Sequence, residues 1–579
     1  MKKIIIPIIA SCIAFLPSCS EDNLEIDQKG VTSIDSFYKT DDDAEAAMVA
    51  VYQGFIWNMC AQSGGYIYSP FRAAFNNCGD DMFAAGEFLG DNDFMADLNE
   101  FRYDNGNSVL TNCYQNIYYA MYYTNLVIDR FKDGLPDKGQ TETTKRVVAE
   151  SRVMRAYMHM MLALGWNNPP KVDHVLDAGA MPENCDHDEL LNWCAQECEE
   201  AAEFLEERKG PNDKEGAIKV TKGFAWAVAG KCYMHLDAPN YAKAKENLKK
   251  VITSNKYALV PGNRYEENFH VEGDCNEEKI FEANVAYNPN AGTWSGMIQR
   301  TTWMQANLWG WRSSRMVYRV NQEEYSSIEG WGGCGVPKSF ADEFVANDGE
   351  DSYRLKASII SIEDLMYGKL IEWKPIKGMS LDEIKKSDKI GLVDLGLYGQ
   401  SKYLMLKKNV KKTDLQAPGV NQSMINHCIM RYAEVLLLYA EACIQSGDNA
   451  EAKKYINMIQ ERAGSKTISA SVDMNVLKRE KKLEMWLEGC RWYDMRRWND
   501  YELAKKAGME VTTLCDKVTR PIKAGDKVIE DGERFYLIDN HDHATKNITC
   551  PGYSEKFKYF PFPTSVISKN PNLKQREGF

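Results

Sequence analysis

Beyond its first 16 residues this chain lacks any apolar run long enough to cross a bilayer, and it also lacks an excess of positive charge, a cysteine framework and a strict repeat. Each absence excludes a class of protein. A spanning helix needs about 20 consecutive apolar residues, so no segment past the leader is expected to be one. Lys and Arg number 70 against 83 Asp and Glu, a formal charge of −13, which repels phosphates and anionic headgroups and argues against nucleic acid or a polybasic membrane mode. Of the 16 cysteines, Cys12 lies in the leader and Cys19 closes it; the rest follow no disulfide spacing. Cys232, Cys443 and Cys490 fall on apolar helical positions, where a thiol packs as a small core group. Cys194 and Cys198 are one helical turn apart without a second ligand pair, and His541 and His543 lack a third ligand, so no metal is assigned. A Cys515–Cys550 bridge stays open. There is no His-Glu-x-x-His, phosphate-binding loop or Gly-x-Ser-x-Gly elbow. Gly330 to Gly335 fits Gly-x-Gly-x-x-Gly, but no apolar strand precedes it and Pro337 follows where a helix should open. These absences leave no catalytic residue and no cofactor to assign.

What is present begins with the leader. Lys2 and Lys3 form a basic head, Ile4 to Leu16 an apolar run, and Leu16-Pro17-Ser18-Cys19 ends it with a small residue before a cysteine. The pattern predicts an export signal over residues 1–18 and lipidation at Cys19, with acyl chains contributing about 0.8 kcal/mol per buried CH₂. The expected membrane association is through that anchor only. Ser20-Glu21-Asp22 resembles the acidic tag that sends some lipoproteins to the cell exterior.

With 44% hydrophobic residues and 11% aromatics the chain can bury a large core. Asp41-Asp42-Asp43 are placed to cap a helix over 44–55. Residues 58–107 have loop composition. Helices are expected over 114–131 and 149–164, the latter ended by Gly165 and Pro169-Pro170. Phe224, Val228, Cys232 and Leu236 recur at four-residue steps, followed by the turn Asp237 to Asn240 and a second helix, a hairpin with small residues where two helices approach. It is similar to a tetratricopeptide repeat without the regular period. A second hairpin is expected from Cys428 through Ala442 and from Ala450 to Ala463, and a single long helix over 475–498 carrying Glu480, Glu484 and Glu488. The proline-bearing tail, 558–579, is expected to run extended over the surface.

Arg431-Tyr432-Ala433-Glu434-Val435-Leu436-Leu437-Leu438-Tyr439-Ala440-Glu441-Ala442 resembles the signature helix of the SusD/RagB family of outer-membrane lipoproteins. Glu480-Lys481, Glu484, Glu488-Gly489, Arg491-Trp492, Asp494 and Arg497-Trp498 resemble its next motif, with Lys481 where arginine is usual. Tyr559 to Pro563 and Asn570 to Gln575 resemble its C-terminal close, with Phe562 where an aliphatic residue is commoner, and Ala149 to Tyr157 with the Lys222 hairpin resemble its N-terminal half. The resemblance implies a mainly α fold, irregular tetratricopeptide-like hairpins packed against a loop-rich ligand-binding region. It divides the chain into the signal (1–18), a region with the first helices (19–270), and a C-terminal region with a loop-rich insert and the helices of 428–498 (271–579). It also implies an outer-membrane location facing the cell exterior, oligosaccharide or, in a minority, peptide as ligand, and a role as lid and substrate-capture partner of a SusC-like TonB-dependent barrel in nutrient uptake, without enzymatic activity.

The family motifs carry no ligand information, so the site must be read from the residues. Trp294, Trp303, Trp309, Trp311 and Trp331 put five of the 13 tryptophans within 38 residues, in a stretch rich in Gly, Ser, Asn and Thr with neither helical nor strand periodicity. A flat ring covers the apolar face of a sugar while neighbours such as Gln305, Asn307 and Arg312 meet its hydroxyls. Some of these indoles are expected to contact ligand and others to plug the loops into the helices. Tyr66, Arg72 and Asp80, with Tyr68, Phe71 and Asp81, form a second candidate surface. Glu484 and Glu488 have glycosidase-like spacing, but their basic neighbours favour a structural salt-bridge ladder over a surface glycoside hydrolase.

Overall fold

The computed structural model describes residues 37–60, 70–84, 86, 93–284, 309–310, 332–361, 403–408, 411–415, 423–500 and 552–579, with backbone alone at 70–73 and 412. The Trp294, Trp303, Trp311, Trp331 and Tyr66 positions, the leader with Cys19, and His541, His543, Cys515 and Cys550 lie outside these residues.

Helices dominate, as composition and periodicity predict. Helix α1 (Asp41–Phe55) starts where Thr40 and Asp43 cap each other reciprocally: the Asp43 N–H donates to Thr40 Oγ1 (3.1 Å) and the Thr40 N–H to the Asp43 carboxylate (2.9 Å). After α2 (Pro70–Asn77) and α3 (Asp93–Asn99), α4 (Ser108–Phe131) begins a turn and a half earlier than its apolar pattern suggests. Asn107 is the reason, since its Oδ1 accepts from the N–H groups of Val109 (3.0 Å) and Leu110 (3.2 Å). Helix α5 (Glu142–Trp166) is capped by Thr141 and ends at Asn167, whose φ of +69° leaves helical space just before the Pro169-Pro170 pair. Its second half, Val153 to Trp166, is buried all round, so it is the central rod against which α4 and α6 (His187–Ala201) pack.

The first predicted hairpin forms from α7 (Lys222–Met234) and α8 (Tyr241–Thr253). The helices touch at Gly230, where a Cβ would lie 2.6 Å from Leu248 Cγ, so glycine sets how closely they approach. The second hairpin is α9 (Tyr432–Gln445) and α10 (Asn449–Ala463), turned by Gly447 at φ +80° and closed by Gly464 in left-handed geometry.

Four expectations needed correction. The stretch 58–107, of loop composition, carries the helices α2 and α3. The second hairpin does not start at Cys428: His427–Arg431 is a strand, antiparallel to Lys279–Ala283. The helix over 475–498 is two, α11 (Met474–Glu484) and α12 (Arg491–Arg497), because the chain passes through left-handed geometry at Leu487 (φ +59°) and Gly489 (φ +85°). Glu484 and Glu488, on either side of Leu487, share Arg431, while Glu484 alone also meets Arg354 and Arg462 and Glu488 alone meets Lys407. The tail is extended at 559–563 but buried rather than superficial, as Phe560 and Phe562 are fully inside. The Phe560 N–H donates to the Gly165 carbonyl (2.8 Å), and Trp166 Nε1–H to that of Pro561 (2.8 Å).

Beneath these elements lies a buried charge cluster. Arg431 meets Glu278 (2.7 Å), Glu484 (2.6 Å) and Glu488 (2.7 Å); Arg354 meets Asp348 (2.8 Å), Glu480 (2.6 Å) and Glu484 (3.0 Å). Arg462 bridges Glu278 (2.7 Å) and Glu484, and Lys407 pairs with Glu488 (2.8 Å). Burial alone would raise the pKa of Glu484, but the guanidiniums of Arg462, Arg431 and Arg354 outweigh it and take it to about 2.

Candidate functional site

A small antiparallel sheet has the order Phe83–Ala84, Cys334–Gly335, Tyr403–Met405, Ile359–Ser361, and its second strand follows the stretch that ends at Trp331. The glycine-rich run is therefore the entry to a strand and no dinucleotide turn. The chain leaves the described residues at Gly310 and returns at Gly332, whose N–H donates to the Gly310 carbonyl (2.9 Å). Trp311 and Trp331 are the sequence neighbours of those two glycines.

Among the candidate residues, the side chains of Trp309 and Asp80 are described: Trp309 is fully buried, and Asp80 is half-buried with its carboxylate largely covered. Trp309 is 1% exposed and belongs to the main core; its indole N–H has no acceptor among the described residues. It is the plug that the sequence reading allowed for, and it cannot stack on a ligand from that position. Asp80 accepts two hydrogen bonds from Arg491 (2.6 and 3.0 Å) and one from Lys482 (3.1 Å), which also reaches Glu343 (3.0 Å). Burial would raise its pKa, yet Arg491 and Lys482 hold it well below the carboxylate range. Asp80 thus clamps the chain just before the sheet to α11 and α12, with three of its carboxylate's acceptor positions spent on that clamp. Asp81 beside it is pushed up to about 7, by burial first and by the Asp80 charge second, while its carbonyl accepts from Trp486 Nε1–H (2.8 Å). Arg72 lies on α2.

A concave site absent from the sequence reading lies on the other half of the chain. It is a groove of about 440 Å³ between α4, the segment 170–182 and the stretch after the buried tail, which includes the short helix Thr564–Ile567. Its walls are tied together: Tyr118 OH donates to the Pro170 carbonyl (2.8 Å), Asn125 to those of Val172 (3.0 Å) and His174 (3.1 Å), Gln115 to Ser565 Oγ (3.1 Å), and Asn570 to the Pro182 carbonyl (2.8 Å). Tyr119 and Tyr122 line it while 58% and 50% exposed. The signal was in the run Tyr118-Tyr119-Ala120-Met121-Tyr122-Tyr123, which holds more tyrosines than one apolar helix face can bury.

One His/Asp cluster has metal-like proximity among the described residues, His187 with Asp188 and Asp237. Both ring nitrogens of His187 already face carbonyls, of Asn167 (3.1 Å) and His235 (3.1 Å), and Asp188 accepts from the Asp237 N–H (2.8 Å).

The SusD family model matches residues 277–579, more than half of the chain. The chain belongs to the SusD family. SusD-like protein P38 of Formosa agariphila is 22% identical over 514 residues, covering 84% of this chain and 89% of the relative. A SusD-like protein of Bacteroides ovatus is 34% identical over 167 residues, 26% of this chain and 29% of that one. Among solved structures, surface glycan-binding protein A from Bacteroides thetaiotaomicron in complex with laminarihexaose superposes with a TM-score of 0.70 at 19% identity, covering 93% of this chain and 99% of the other. A laminarin-binding SusD-like protein gives 0.68 at 19% identity, over 94% and 100%. At such identities the superpositions establish a shared SusD-type helical fold.

Proposed function

We propose that this SusD-family chain is a cell-surface glycan-binding lipoprotein that captures oligosaccharide and acts as the lid of a SusC-like TonB-dependent barrel. The family match over residues 277–579 carries the reading, and glycan binders among the fold neighbours support it. The leader ending at Cys19 supports an outer-membrane lipid anchor facing the cell exterior. Trp294, Trp303, Trp311 and Trp331 remain the proposed stacking rings, joined by Tyr66 and Arg72; Trp309 and Asp80 support that surface from inside. Each stacked ring contributes about 1 kcal/mol beyond its buried area, which gives roughly micromolar to millimolar affinity for a few rings, suited to capture and release.

The same reading has no bond-breaking step. Glu484 and Glu488, the carboxylate pair with glycosidase spacing, are buried against Arg354, Arg431, Arg462 and Lys407. A general acid must hold a proton near neutral pH, and Glu484 is driven the opposite way. A glycan array and a peptide pool, both presented to the full mature chain, test the ligand class. Retention of oligosaccharides and not of peptides is expected; capture of peptides alone would replace the glycan reading with a peptide-binding lid.

A further inference from the structure

We infer that the groove along α4 is a second oligosaccharide-binding site, with Tyr119 and Tyr122 as its stacking rings and no residue drawn from the tryptophan-bearing stretch. The inference takes its ligand class from the function proposed above and its location from the geometry alone. Gln115, Tyr118, Tyr119 and Tyr122 follow helical spacing and form one stripe of α4 that lines the groove. Tyr118 has a structural task, since its hydroxyl holds the Pro170 carbonyl. Tyr119 and Tyr122 have none of that kind: half or more of each side chain faces water, and neither hydroxyl has a protein partner among the described residues. A chain that buries so many other aromatics leaves two large rings exposed in one hollow, the pattern of an interaction site.

The chemistry of the hollow selects the ligand. The two rings are three residues apart, about 4.5 Å along the helix axis, close to the advance of one pyranose along an oligosaccharide. Gln115 donates its amide to Ser565 and keeps its carbonyl oxygen as an acceptor; His174, whose Nδ1–H faces the Asp173 carboxylate (2.8 Å), leaves Nε2 as a second acceptor, and Lys569 on the facing wall supplies donors. No carboxylate lines the groove, although the chain as a whole is acidic. Aromatic faces bordered by both donors and acceptors, without a dominant charge, suit neutral sugar rings, whose hydroxyls do both. The volume falls in the range of small-ligand clefts, about 300–1,000 Å³, whereas a stable protein partner needs a face of about 800 Å².

The test uses the full mature chain, its Y119A/Y122A variant, a W294A/W303A/W311A/W331A variant, and a panel of laminari-, cello-, malto-, xylo- and mannohexaose, titrated by calorimetry. The quadruple tryptophan variant is expected to keep a weaker site for a hexasaccharide that the parent binds, and adding Y119A/Y122A to it should weaken that site by about tenfold or more. Y119F/Y122F, which keeps both rings, should retain it, and equal melting temperatures would show that the fold is intact. If the tryptophan variant loses all binding and Y119A/Y122A binds like the parent, the groove site is overturned and the loop platform stands. If binding survives loss of the tryptophans and disappears with the tyrosines, the groove stands and the loop platform falls. Unchanged sugar binding with a weakened barrel complex in Y119A/Y122A would make the groove a partner contact and overturn the inference, and silence from the whole panel would overturn both sites.

Discussion

The two halves of the described fold are held together by different physics. Around α5, packing is apolar and close: Val153 to Trp166 are buried, aromatics from the tail plug against Trp166, and α7 meets α8 across a glycine. Around Arg431 and Glu484 the interior is a lattice of guanidiniums and carboxylates joining α9, α10, α11 and the strand pair. Apolar packing tolerates replacement in proportion to volume. A desolvated ion cluster tolerates little, because removing one member leaves the others charged and unpaired. The second half is also the one that anchors the candidate loops, through the Asp80 clamp on Arg491 and Lys482.

The largest expected effect is therefore in the ion cluster. Arg431→Met leaves Glu278, Glu484 and Glu488 short of a partner and should cost roughly 3–5 kcal/mol in chemical denaturation; a loss below about 1 kcal/mol would show that the cluster relaxes or takes up water. In the apolar half, Gly230→Val forces a side chain against Leu248 and should cost about 1–3 kcal/mol. Smaller again, Asn107→Ala removes the cap of α4 at about 1 kcal/mol, with fraying of its first turn seen by hydrogen exchange.

Within the ion-rich half, two carboxyls should give opposite pH dependences. Glu484 has a folded pKa lowered to about 2 from 4.5, so its contribution is complete above 4.5 and is lost as pH falls through 2. Asp81 has the opposite sign: raised to about 7 from 3.8, its contribution is complete below 3.8 and is lost as pH rises through 7. Acid titration of stability should accordingly be flatter in a Glu484→Gln variant than in the parent, and Asp81→Asn should flatten the decline from acid to neutral pH.

How far the sequence could be read follows the same division. Helices with an apolar period were legible, as were the small residues of the α7–α8 hairpin and the capping acids of α1. Boundaries set by one polar atom were not, as with Asn107 extending α4. The break at Gly489 was visible as a glycine but masked by a helical run of Glu480, Glu484 and Glu488, whose partners lie in four other segments and leave no local trace. Asp80 looked like a loop acid facing ligand because its partners Arg491 and Lys482 are some 400 residues away. The exposure of Tyr119 and Tyr122 depends on walls built from 170–182 and the chain end, which no helical pattern within α4 could disclose.

The function proposed here rests on carbohydrate held by Trp294, Trp303, Trp311 and Trp331 with no bond broken. The most direct measurement is calorimetric titration of the full mature chain and of W294A/W303A/W311A/W331A with a hexasaccharide retained on the array, with reducing ends assayed in the same samples. Saturable binding by the parent is expected, with affinity about tenfold or more weaker in the variant, and no new reducing ends in either. Equal affinity in the two proteins, or reducing ends accumulating with the parent, would contradict it.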